Sequence, residues 1–140
     1  EKMEAGEGGP FGAVVVRDGE IVGRGWNQVT SINDPTAHAE IVAIRDACRR
    51  LGTFSLEGCD IYTSCEPCPM CFAAIYWARL DRIYYAAKCE DAVTVGFEDT
   101  PFHRQVVMPP ARHPMHAQDL RPEACEAFIA WQRKVDRIAY

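Results

Sequence analysis

No apolar run in this chain approaches the roughly 20 residues needed to span a bilayer, which argues against an integral helical membrane protein. The N-terminus, EKMEAGEGGPFGAVVV, has neither the basic start nor the apolar core of a signal peptide. It also lacks an initiator Met, so the chain reads as a trimmed piece of a longer one. Basic residues are in the minority: 15 Lys and Arg stand against 20 Asp and Glu, a formal net charge of −5. An acidic domain makes a poor partner for a phosphate backbone unless it hides a local basic patch. There is no internal repeat, no low-complexity tract and no linker that would split the chain. Its 140 residues therefore suit one domain with a real core.

A disulfide framework is missing too, although cysteine is plentiful. The seven thiols are odd in number, and Cys65, Cys68 and Cys71 crowd into one short stretch. That pattern points to a reducing compartment, the cytoplasm, in which grouped thiols bind metal or do redox work and isolated ones pack as small hydrophobes.

The hydrophobic pattern predicts one α/β domain. In FGAVVVRDGEIVGRGWN, two β-branched runs flank Asp18-Gly19, a hairpin signal, with strands near 12–17 and 20–26. Ala37, Ile41, Ile44 and Cys48 then recur at helical spacing, giving a helix near 36–51 with Asp34 or Thr36 as start signal and Gly52 as stop. CDIYTS (59–64) reads as a strand. EPCPMCFAAIYWARL (66–80) reads as a turn and a helix with Pro69 in its first turn. DRIYYAA (81–87) is another strand. Residues 91–115 read as an irregular, proline-rich functional loop. Helical spacing returns after 121 through Ala124, Phe128, Trp131 and Val135. A hairpin followed by alternating helices and strands gives parallel pairing of the later strands by crossover.

Two short motifs carry the chemistry. The first is His38-Ala39-Glu40, in DPTAHAE. Side chains two apart on a helix point to different sides, so His38 and Glu40 flank an atom more easily than they share it. The second is Pro67-Cys68-Pro69-Met70-Cys71. Cys68 and Cys71, three apart in a first helical turn, can meet one metal ion, and a helix N-terminus favours thiolate over thiol. Cys65 leaves two registers open. With His38 and all three cysteines the site is a closed structural zinc. With Cys65 packed at the strand end it keeps an open catalytic position. The second is preferred because Pro67 and Pro69 punctuate the Cys65–Cys68 interval.

H-x-E followed by P-C-x-x-C is the signature of zinc nucleobase deaminases. The metal lowers the pKa of its water, and Glu40, beside that water and not a ligand, moves protons as a general acid–base.

On these residues, and on GGPFGAVVV, NDPTAHAEIVAIRDAC, YTSCEPCPMCFAAIYWAR, YYAA and GFED, the chain resembles the cytidine deaminase-like superfamily. Within it, it is most similar to the small bacterial guanine deaminases, well over residues 8 to 100 and weakly in the tail. The resemblance implies a three-layer α/β/α sandwich on a mixed five-stranded sheet, with an N-terminal helix mostly missing here. It also implies one Zn2+ per chain, a homodimer, and hydrolysis of guanine to xanthine and ammonia. Carried over by position, it implies His38, Cys68 and Cys71 as ligands and Glu40 as proton shuttle. Asp99 would be a second acid that binds the base and protonates the leaving amine. Asn27, Phe11, Trp77, Ala39 and Tyr140 would be substrate contacts. His103, His113 and His116 read as surface loop residues. Three alternatives remain at this stage: another free base or nucleoside such as cytosine or guanosine, a tRNA adenosine, and a non-catalytic structural zinc domain. The acidic balance counts against the second and the placement of Glu40 against the third.

Overall fold

The computed structural model describes residues 2–109, 112 and 121–138; Tyr140, His113 and His116 lie outside them. The chain divides into two compact units, residues 1–103 and 104–140, and each is described by itself.

The first unit begins with a hairpin, β1 (Gly12–Arg17) and β2 (Glu20–Trp26). Asp18 and Gly19 both have positive φ, 51° and 80°, the geometry that a tight two-residue hairpin turn requires. The register slips between Val15 and Val16. On the β1 side of that slip Val15 faces Gly23 and Ala13 faces Gly25, so both glycines point to the face that carries the core. A single turn of helix, α1 (Val29–Ile32), leads to α2 (Ala39–Leu51). Then follow β3 (Cys59–Cys65), α3 (Pro69–Trp77), β4 (Arg82–Ala87), α4 (Cys89–Val93) and α5 (Thr100–Val106), which runs on past the boundary between the units.

The strands are ordered β2-β1-β3-β4. β1 is antiparallel to both neighbours, whereas β3 and β4 are parallel. β2 and β3 therefore point the same way, and α2 crosses over β1 to connect them. The sheet is mixed, as expected, but among the described residues it has four strands and not five. The stretch after β4 becomes helix because it carries local caps. The Asp91 carboxylate accepts the Lys88 N–H at 2.8 Å, the Glu98 carboxylate accepts the Thr100 N–H at 2.9 Å, and Pro101 sits in the first turn of α5, where its missing N–H costs nothing. The same caps explain why two helices stand within 89–106, where the proline content predicts an irregular loop.

The core lies on one face of the sheet. Ala13, Val15, Cys59 and Ile61 meet Ala39, Ala43 and Ala47 of α2 and Ile75 of α3. The opposite face stays exposed at Tyr62 and Tyr84, whose rings stack at 4.6 Å. The second helical layer of a sandwich is thus not among the elements of this unit.

Why does α2 sit so close? A Cβ on Gly25 would lie 2.1 Å from the Ala39 carbonyl oxygen, and one on Gly23 would lie 2.5 Å from that of Ala43. Helix backbone rests directly on strand backbone, with alanines as the only spacers. Asp46 pins the pair: its carboxylate accepts the Arg24 N–H at 3.0 Å and pairs with Arg49 and Arg50.

In the second unit, α6 (Arg121–Arg133) ends before Val135, which the apolar spacing had included. The Arg137 guanidinium closes its end by donating to the Gln132 and Lys134 carbonyls at 3.0 Å each. Among the described residues, no helix is long and apolar enough to cross a membrane.

The close approach of α2 yields a test. Gly25→Ala forces α2 off the sheet, and overpacking of this kind costs typically 1–3 kcal/mol or more. Urea denaturation should show a lower midpoint with an unchanged slope. A midpoint equal to wild type would mean that the helix is free to shift.

Candidate active site

In a sheet whose helices follow strand ends, those helices present their N-termini at the carboxyl edge of the parallel strands, where ligands bind. Here β2, β3 and β4 all end at one edge, and β1 begins there. Asn27 follows β2, Phe11 precedes β1, Glu66 follows β3 and Cys89 follows β4. All four line a single cavity of about 230 Å3, together with His38 and Glu40. That is below the ~300–1,000 Å3 usual for drug-sized ligands, and it suits one small heterocycle.

His38 is the N-cap residue of α2 and Cys68 that of α3. The Asp34 carboxylate shapes the approach to α2, accepting the Thr36 N–H at 2.8 Å and its hydroxyl at 2.7 Å. In α3, Pro69 enters at the first helical position. The two helix starts bring His38 Nδ1 to 3.6 Å from Cys68 Sγ and 3.5 Å from Cys71 Sγ. The three donor atoms lie within 4.8 Å of one another and form a group that could hold a metal ion. One imidazole and two thiolates on three protein arms, with a cavity beside them, are the donor set of an open zinc site. Cys65 stays out of this group. It ends β3, donates its thiol to the Lys88 carbonyl at 3.5 Å, and has its pKa raised by burial.

The sulfurs are unequal. The Cys71 thiol hydrogen-bonds to Cys68 and, with smaller contributions from the Cys71 N–H and from His38, holds Cys68 down at about 4 despite its burial. Cys71 is pushed up by the Cys68 sulfur and by burial. A single proton shared between two sulfurs is what a cation replaces. The partial positive charge of two helix N-termini acts at the same place. Glu40 is buried, and burial raises its carboxyl above the ordinary range.

Asn27 is oriented by the backbone. Its side-chain oxygen accepts N–H groups from Gly9 at 3.4 Å and Val29 at 3.3 Å. The NH2 end is what it offers to the cavity. Phe11 lines the wall and meets Phe97 edge-on at 4.8 Å. Ala39 and Asp99 also line the cavity. Trp77 does not; it is exposed near the end of α3, in a shallow surface groove with Phe72 and Tyr76. Phe97, Phe102 and Glu66 line the cavity without having been singled out from sequence. The signal for Phe102 is the start of α5, which sets it three residues beyond Asp99. That signal is legible only once the Glu98 cap is recognised.

The family profile described as "Cytidine and deoxycytidylate deaminase zinc-binding region" matches residues 1–87. The chain belongs to this zinc-binding deaminase family. The deaminase is 47% identical to the guanine deaminase of Bacillus subtilis over 142 aligned residues, covering 100% of this chain and 90% of that one. The solved structure of that enzyme superposes with a TM-score of 0.94 at 46% identity, covering 99% and 89% of the two chains. A solved guanine deaminase from Nitrosomonas europaea gives 0.64 at 34% identity, over 69% of this chain and 57% of that one. The tRNA-specific adenosine deaminase of Aquifex aeolicus is also 47% identical, but over 78 residues, 56% of this chain and 52% of that one.

Metal analysis of purified variants tests the ligand set. Cys65→Ser is expected to keep one zinc per chain, and Cys68→Ser and Cys71→Ser to lose it. Loss from Cys65→Ser would mean a closed site with no open position for chemistry.

Proposed function

We propose that this deaminase hydrolyses guanine to xanthine and ammonia, with zinc held by His38, Cys68 and Cys71. One observation carries the reading: His38 and Cys68 of the ligand group border one small cavity together with Glu40 and Asp99, and Cys71 lies buried beside them. The match to a guanine deaminase over the whole chain supports it. The net charge of −5 disfavours a tRNA substrate, which calls for a basic surface.

Zinc bound there lowers the pKa of water and so supplies a nucleophile near neutral pH. The rest is done by the chain. Glu40, in a desolvated position beside His38, takes a proton from the attacking water and passes it to a ring nitrogen of the base. Its raised pKa suits a group that must both accept and return a proton. The C2 carbon becomes tetrahedral as its bond to oxygen forms. Asp99, facing the same space, takes the proton of the new C2 hydroxyl and gives it to the exocyclic amine, so the C–N bond breaks, C2 becomes a carbonyl and neutral ammonia leaves. The Asn27 amide donates to an acceptor on the purine edge, and Phe11 and Ala39 close the walls. By family resemblance Tyr140, outside the described residues, is a further substrate contact, whereas Trp77 stands outside the cavity. The described residues that line the cavity all fall in the first unit. We also propose a cytoplasmic homodimer, for which the exposed Phe72, Tyr76 and Trp77 on α3 provide an apolar face.

Glu40→Gln should fold and keep its zinc but lose about 10²–10⁴ in kcat, the usual contribution of a positioned general acid–base. Retention of more than a tenth of wild-type kcat would move the proton transfer to another group.

Ammonia release from guanine, cytosine and adenine measures the substrate choice. Guanine should have by far the highest kcat/KM, and Asp99→Asn should lower kcat on guanine at least tenfold, about 1.4 kcal/mol in barrier. Cytosine or adenine as best substrate would remove the guanine assignment while leaving the zinc chemistry in place.

A further inference from the structure

A second set of metal-binding side chains lies on the side of the cavity that carries Asp99. Cys89 opens α4, Asp99 precedes α5, and His103 lies one helical turn after Asp99. His103 Nε2 is 3.2 Å from Asp99 Oδ2, and Cys89 Sγ is 3.9 Å from that same oxygen. The three donor atoms fall within 4.8 Å of one another, the same limit that the His38, Cys68 and Cys71 group meets. Tetrahedral zinc bonds of about 2.0–2.3 Å place donors roughly 3.3–3.8 Å apart, so a small closure of the Cys89 side suffices.

We propose that Cys89, Asp99 and His103 form a second zinc site whose occupancy inhibits the enzyme. One thiolate, one carboxylate and one imidazole are a donor set that selects zinc over magnesium or calcium, which take oxygen ligands. With the imidazole neutral, the ionised donors carry two negative charges, which the cation balances. The Cys89 thiol is pushed up to about 12 by burial and by the Asp99 and Glu66 carboxylates; a cation at this point relieves that crowding. The His103 side chain is 46% exposed, which gives the ion a route from solvent. Cys89 and Asp99 line the cavity, so an ion held there ties up the carboxylate assigned to the leaving amine and stands where substrate must pass. The inhibitory part rests on that reading of Asp99; the binding part does not.

The experiment starts from protein carrying one equivalent of zinc in a non-chelating buffer. Zinc is titrated by calorimetry and by equilibrium dialysis, with guanine turnover followed in parallel and magnesium as control. Wild type should take up a second equivalent and lose at least 90% of its own zinc-limited rate, while magnesium does neither. His103→Gln and Cys89→Ser should each keep the first equivalent, which reports an intact fold, and bind the second at least tenfold more weakly. Each should be inhibited correspondingly less, relative to its own starting rate. No second equivalent in wild type, or equal binding in both variants, overturns the site. A second equivalent that requires Cys89 and His103 yet leaves turnover unchanged overturns the inhibition, and with it the role given to Asp99.

Discussion

The first unit and its site hang on the direct contact of α2 with β2. A helix usually stands off a sheet by the thickness of two layers of side chains. Here Gly23 and Gly25 remove one layer, and Ala39, Ala43 and Ala47 thin the other. The helix axis drops onto the strand, and its N-terminus is fixed beside the residues that follow β2. Position and charge arrive together, because the turn that is lowered onto Gly25 is the one that carries His38 and Glu40. Had α2 ridden higher on larger residues, His38 would stand away from the start of α3, and Cys68 and Cys71 would have no third partner.

The electrostatics follow from the same geometry. Two helix N-termini converge on one point, and each contributes unsatisfied N–H groups and a partial positive charge. Such a point attracts thiolates, and thiolates attract a cation. Burial then does the opposite to Glu40, raising its pKa in the same few ångströms. The Cys71 thiol and His38 hold the Cys68 sulfur low while burial raises Glu40, and a low-pKa sulfur beside a high-pKa carboxyl suits the proposed division between holding an ion and carrying a proton. Across the cavity, α4 and α5 contribute acids and aromatics from a segment that is capped by its own Asp91 and Glu98. That side is built from short helices with no buried residues.

Much of this was legible in the chain itself. The Asp-Gly turn, the alternation of the early strands and the three-and-four spacing of α2 and α3 are local codes, and the elements form within a few residues of where those codes place them. The paired motifs were legible as well: His38 and Glu40 stand at one helix start and Cys68 and Cys71 at another, and His38 and the two thiols form a group that could hold a metal ion. The helices α4 and α5 were not read, because a stretch with Gly96, Pro101 and Pro109 looks like a loop until the side-chain caps that stop and restart it are known.

What only the tertiary structure decided is which residues share a space. Cys65, Cys68 and Cys71 are equally spaced along the chain, and only the turn of the backbone from β3 into α3 sends two of them to His38 and the third toward Lys88. Phe97 meets Phe11 because β1 begins at the edge where α4 and α5 return, a contact across more than eighty residues that no local pattern encodes. His103 read as a surface histidine, since nothing in its neighbourhood along the chain connects it to Cys89. The reason is general: spacing along a helix or strand is set by the backbone period, which the sequence carries, whereas the meeting of separate elements is set by how closely their surfaces pack, which for α2 and β2 depends on Gly23 and Gly25.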